Sequence, residues 1–149
     1  MMKIIYKMFT IALCLATCML TAQDPVAFYS FTASAEDVSG YDNDASTNGA
    51  YLTQDRFGVA QRAFTFDGAK SFIAAPNAVH LNTDLASVSL WINANSIPAQ
   101  GEAYLVSFGG WQERYKISLP GHGKLIWTTN ADGISDMDAG DGNELQVGV

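Results

Sequence analysis

The run YKISLPGHGKLIWTT occupies residues 115–129. Tyr115, Ile117 and Leu119 fall on one side of an extended chain, and Leu125 and Trp127 resume the alternation after a break. An extended backbone points successive side chains to opposite faces, so an apolar period of two marks a strand with one dry face. Pro120, Gly121 and Gly123 stand between the two halves. Proline presets φ and glycine accepts positive φ, so the chain reverses there. The run predicts a β-hairpin.

The same pattern recurs outward from it. RAFTFDG (62–68) sets Phe64 and Phe66 on one face; SVSLWIN (87–93) sets Val88, Leu90 and Ile92 opposite Trp91; YLVSF (104–108) aligns Tyr104, Val106 and Phe108. VAFYSF (26–31) is apolar nearly throughout. Asn48-Gly49, Asp67-Gly68 and Asp132-Gly133 are turn dipeptides. No window of eleven residues carries helical spacing, and a single helical turn around 80–85 is the most that is expected. Residues 131–144 form an acidic segment read as a solvated hairpin tip. Short strands at regular spacing predict an all-β sandwich or barrel. There is no nucleotide-binding glycine loop, zinc spacing or internal repeat.

The N-terminus reads differently. Lys3 and Lys7 precede an apolar run over 8–20, and Thr21 and Ala22 follow. This is the order of a secretory signal peptide, 1–22, with cleavage expected after Ala22. A lipoprotein signal ending at Cys18 is the alternative, and Thr17 fits it poorly. The run is short for a membrane span, so none is expected in the mature chain. Cys14 and Cys18, the chain's two cysteines, leave with the signal, so the mature segment 23–149 has no disulfide. Its length suits one domain. Eight Lys and Arg stand against fifteen Asp and Glu; without Lys3 and Lys7, six face fifteen, a net charge of −9. That balance excludes a nucleic-acid partner, which needs a basic face.

One stretch stands apart. EDVSGYDNDASTNGA (36–50) holds four acidic side chains, three Ser or Thr, two Asn and two Gly, and it cannot build a core. Asp37, Ser39, Asn43 and Asp44 can bond nearby backbone amides in Asx and Ser turns, which lets the loop cross between sheets without burial.

From the first strand onward, the aromatic run at 26–31, Asp37-x-Ser39-Gly40 with Asn43, Asp55-x-Phe57-Gly58, Phe66-Asp67-Gly68, Phe72-Ile73 and SVSLWI follow in an order that resembles a laminin-G-like domain of secreted bacterial proteins. The resemblance implies a concanavalin A-like, antiparallel two-sheet jelly-roll sandwich. Ala45 stands where that family usually has glycine. ELQVGV (144–149) looks like the lead-in to a further strand, so a domain lacking its last strands is expected. Unpaired strand edges would then be prone to association.

The polar loop has a second reading, a calcium site. Hard cations take carboxylate, amide and carbonyl oxygens from irregular loops. Asp37, Asn43 and Asp44 carry such atoms, Asp67 is the fourth candidate ligand, and the resemblance favours a calcium at a sandwich rim. The acidic tail fails the EF-hand pattern, since Gly140 stands fifth counted from Asp136. Trp91 and Trp111 are candidates to stack on a sugar ring. His80 and His122 read as surface residues. Glu36, Glu102, Glu113 and Glu144 are isolated, without the paired carboxylates of a glycosidase strand, so no enzyme is expected. The expected function is a secreted or cell-surface, non-catalytic module that binds a glycan or a protein partner. The alternative is an accessory domain of a larger secreted hydrolase or adhesin.

Overall fold

The computed structural model describes residues 24–83, 85–108, 114–130, 133–140, 142 and 144–148; the predicted signal peptide and Trp111 lie outside them. The chain divides into two compact units, one ending at Leu85 and the other beginning at Ala86. Both are built from antiparallel strands, and the helical content among the described residues is one 3-10 turn, Val79–Leu81.

In the first unit, β1 (Ser46–Asn48) pairs with β4 (Phe72–Ala74), and β2 (Tyr51–Thr53) with β3 (Ala63–Thr65). These are two separate two-stranded ladders. Gly49 and Ala50 separate them on one side, and residues 66–71 on the other. Gly49 has a φ of 66°, and a Cβ there would approach the Ser71 Cβ to 3.3 Å. The Phe66-Asp67-Gly68 motif therefore lies in the longer of these two connections, between β3 and β4. Phe64 is half-buried and meets the Phe31 ring edge-on, centroids 5.1 Å apart. Phe66 stays exposed.

The apolar run at 26–31 forms a single bridge, Tyr29 to Asp37, where a full strand is expected. Phe31 and Ala33 adopt φ values of 54° and 62°. Left-handed backbone at two non-glycine residues turns the chain out of an extended ladder, and the Ala33 N–H instead bonds the Gln61 carbonyl at 2.9 Å.

The second unit is a four-stranded meander, β5 (Glu102–Ser107), β6 (Tyr115–Pro120), β7 (Ile126–Asn130) and β8 (Ile134–Asp138), paired in chain order. The predicted hairpin is present as β6 and β7, with Ile117 opposite Trp127. The Gly123 N–H closes its turn on the Pro120 carbonyl at 2.9 Å, and Gly121 leaves room for the Pro98 carbonyl oxygen, which a Cβ would meet at 2.9 Å. One face carries Ala103, Val106, Tyr115, Ile117, Leu119 and Trp127, and buries Ile117 and Leu119. Tyr115 and Trp127 stack with centroids 5.1 Å apart.

Three local expectations are corrected. A bulge between Tyr104 and Val106 puts Val106 opposite Ile117 but Tyr104 opposite Ser118, so these two do not share a face as plain alternation requires. The acidic segment supplies β8, whose five residues are all exposed; a charged edge strand discourages further pairing. Residues 87–93 join no strand, and Val88 and Leu90 are exposed. Their alternation describes a possible face, but a ladder also needs a neighbouring backbone, and none pairs with this segment among the described residues.

Candidate functional site

The polar loop of the first unit is organised around one carboxylate. Asp37 Oδ1 accepts the N–H groups of Phe28 and Ser39 at 2.8 and 2.9 Å. Asp37 Oδ2 accepts the Ser39 hydroxyl at 2.8 Å, the Asn43 N–H at 3.1 Å and the Asn43 side-chain amide at 2.9 Å. Burial pushes the carboxyl up, but the Phe28, Ser39 and Asn43 donors outweigh it and hold Asp37 well below the usual carboxylate range. The Asp37 N–H in turn donates to Asp44 Oδ1 at 2.9 Å.

Asn43 is the other centre, 1% exposed. Its Nδ2 donates to Asp37 Oδ2 and, at 2.8 Å, to the Val26 carbonyl. Both amide protons being placed, Oδ1 must accept, and its partner is His80 Nε2 at 2.7 Å. That nitrogen therefore carries a proton. The Asn43 carbonyl accepts the Tyr29 hydroxyl at 2.7 Å. Burial, with the nearby Asp37 and Asp44 charges, raises the Tyr29 pKa. His80 is half-buried, its ring 4.9 Å from that of Tyr41, so it is no simple surface residue. Sequence reading missed it because 37 residues separate it from Asn43, and no local pattern links the two. Ala45 avoids positive φ; the left-handed position falls on Asp42, at 57°.

Asp67 closes a turn of its own. Its Oδ1 accepts the N–H groups of Ala69, Lys70 and Ser71 and the Ser71 hydroxyl, while the Ser71 oxygen accepts the Asp67 N–H. The Ala69, Ser71 and Lys70 N–H groups hold this exposed carboxyl far below its ordinary range. Asp55 repeats the device, taking the N–H groups of Phe57 and Val59. In all three motifs an aspartate accepts the N–H two residues ahead, from Ser39, Phe57 or Ala69.

The structure thus brings Asp37, Asn43 and Asp44 together, while the hydrogen bonds described for Asp67 all lie within its own turn. The set does not fit a hard cation as arranged. A carboxylate offers about four lone-pair positions, and Asp37 already accepts five donors. Asn43 turns its NH2, not its oxygen, toward that carboxylate. Among the described residues, no group of three or more His, Cys, Asp and Glu side chains is placed to hold a metal ion.

In the second unit Trp91 is 82% exposed. A polar face that alternation assigned to solvent is instead buried along its middle: Lys116, Ser118 and Thr128 are buried, flanked by the exposed Tyr104 and Asp136. Lys116 pairs with Glu102 and lies 4.9 Å from the centre of the Tyr104 ring. Burial pushes the Glu102 carboxyl up, and the Lys116 ammonium with the Ser118 and Tyr104 hydroxyls more than reverses this, lowering it. Thr128 donates to Asp136 at 2.6 Å. The Ser118 hydroxyl is buried close enough to Glu102 to help hold that carboxyl down, but it makes no well-formed hydrogen bond.

No protein-family model matches the chain, and no curated protein matches it significantly. Among solved structures it is similar to an S-layer domain-containing protein of Clostridium thermocellum, residues 221–444, with a TM-score of 0.61 at 18% identity. The match covers 83% of this chain and 59% of that one, so the chain spans less than two thirds of its neighbour's length. At that identity the likeness concerns the fold alone, an all-β domain of antiparallel sheets. No helix among the described residues is long and apolar enough to cross a membrane.

Proposed function

We propose that the chain is a non-catalytic recognition module of a secreted or cell-surface protein, binding a glycan or an extracellular protein through exposed aromatic side chains. Trp91 carries this reading: an indole left 82% exposed is the kind of group that contacts a sugar ring or a partner's apolar patch. Trp111 is the second proposed contact. The charged groups support a structural role over catalysis, since Glu102 is tied to Lys116 and Asp37 to five donors. The jelly-roll, laminin-G-like identity is part of the same proposal. It rests on the order of the motifs and is supported by the antiparallel all-β architecture. Export rests on the N-terminal signal pattern and is supported by the likeness to a structure described as an S-layer domain-containing protein.

That description also favours a second reading, a structural accessory domain within a larger surface assembly. Glycan-array or affinity-gel retention of the full chain separates them. Retention that falls at least tenfold in Trp91→Ala, with an unchanged Tm, supports recognition; retention indifferent to both Trp91→Ala and Trp111→Ala refutes it. Tenfold corresponds to about 1.4 kcal/mol, within the range of one aromatic contact.

A further inference from the structure

We propose that the Asn43 amide closes the polar loop of the first unit in the place a hard cation would take, so that this fold needs no calcium. A cation at such a loop gathers carboxylate and carbonyl oxygens around itself. Here the gathered oxygens are Asp37 Oδ2 and the Val26 carbonyl, and Asn43 Nδ2 lies between them, 2.9 and 2.8 Å away. The Ser39 hydroxyl approaches the same two oxygens, at 2.8 and 3.3 Å. The Asn43 N–H adds a further bond to Asp37 Oδ2. Hydrogen-bond donors thus surround the oxygens that would otherwise need a metal's positive charge.

Asp37 Oδ2 and the Val26 carbonyl set the direction of the amide, since neither can donate and a half-turn of Asn43 would bring its oxygen against both. His80 Nε2 then meets Asn43 Oδ1 at 2.7 Å and completes the network as a donor. Asn43 is 1% exposed, which keeps water from substituting for the amide.

Three measurements on the full chain test this. The Tm in saturating calcium should equal the Tm in chelator. A structural cation present at a hundred times its Kd would raise it by roughly 10 °C, and a rise of that order overturns the proposal. The two Asn43 side-chain amide protons should be resolved by NMR in chelator and protected from exchange; exchange at the rate of a free amide overturns it. Asn43→Asp replaces a donor with a second carboxylate beside Asp37. Its Tm should fall in chelator and recover in calcium, a response the parent chain lacks. An Asn43→Asp chain as stable as the parent in chelator overturns the proposal, and the NMR result stands independently if the variant does not fold.

Discussion

Replacing Asp37 by Asn preserves the shape of the side chain and inverts half of its chemistry. One oxygen becomes an NH2 group facing donors, and the charge is lost. Of the five donors that converge on Asp37, two belong to the buried Asn43 and three to Phe28 and Ser39, which are exposed or half-buried. Water can take over the outer three, so their loss costs about 0–1 kcal/mol each. The Asn43 pair has no such replacement. Two hydrogen bonds to a charged acceptor in a dry setting cost about 1.5–3 kcal/mol each. The expected loss is therefore about 3–9 kcal/mol, a large part of the roughly 5–15 kcal/mol that holds a domain together. With a urea m value of about 1–3 kcal/mol/M, the midpoint falls by roughly 1 M or more. The assay is a urea titration followed by far-UV circular dichroism, because Trp91, Trp111 and Trp127 all lie after Ala86 and the unit that holds Asp37 contains no indole of its own. Asp37→Ala is the control: it removes the acceptor without adding a donor, so Asp37→Asn should be no more stable than Asp37→Ala. A loss below about 1 kcal/mol, or an amide variant clearly better than the alanine one, refutes the view that this carboxylate organises the loop.

The acid limb of stability follows from the same groups. Asp37 and Asp67 are both held below the ordinary carboxylate range, so the stability they contribute is complete above the unfolded value near 4 and is lost as pH falls through their depressed folded values. Tm should be flat above about pH 5 and fall below about pH 4, more gently in Asp37→Ala; a Tm independent of pH down to 2 contradicts it. Ser118→Ala removes a buried hydroxyl that makes no well-formed hydrogen bond and only assists in holding the Glu102 carboxyl down; the loss should stay below about 1 kcal/mol, and a larger one in denaturant titration would show that the hydroxyl is firmly bonded. Gly121→Ala forces a Cβ to 2.9 Å from the Pro98 carbonyl oxygen and should cost about 1–3 kcal/mol; an unchanged Tm would mean that the Pro98 segment simply yields.

What could be read from the sequence was local. The hairpin over 115–129 was legible because both its signals, alternation and turn residues, lie within fifteen consecutive positions. Its pairing register then follows from the length of the turn. The bulge in β5 was not legible: one extra residue leaves composition untouched yet moves Tyr104 to the opposite face from Val106. The left-handed residues Phe31 and Ala33 were hidden for a related reason. An apolar run predicts burial, and it says nothing of a backbone that turns away before a ladder can form. Alternation at 87–93 overstated its case in the same manner, because facing is a property of one strand and pairing is a property of two.

The polar loop divides along the same line. That Asp37, Asn43 and Asp44 would gather could be anticipated, since they lie within eight residues. Which atom of each faces the centre could not, because it is set in part by Val26, 17 positions from Asn43, while His80, 37 positions away, takes the other end of the amide. An asparagine is both donor and acceptor, so the same letters serve a cation site and an amide-closed loop. The recurrence of one device at Asp37, Asp55 and Asp67, each accepting the N–H two residues ahead, explains why short Asp motifs with glycine nearby punctuate this chain. Each supplies, through a side chain, acceptors that a bend denies its own backbone. The ribbons can then stay short and irregular while their N–H groups remain satisfied, and the acidic charge of the chain follows in part from that use of aspartate as a structural acceptor.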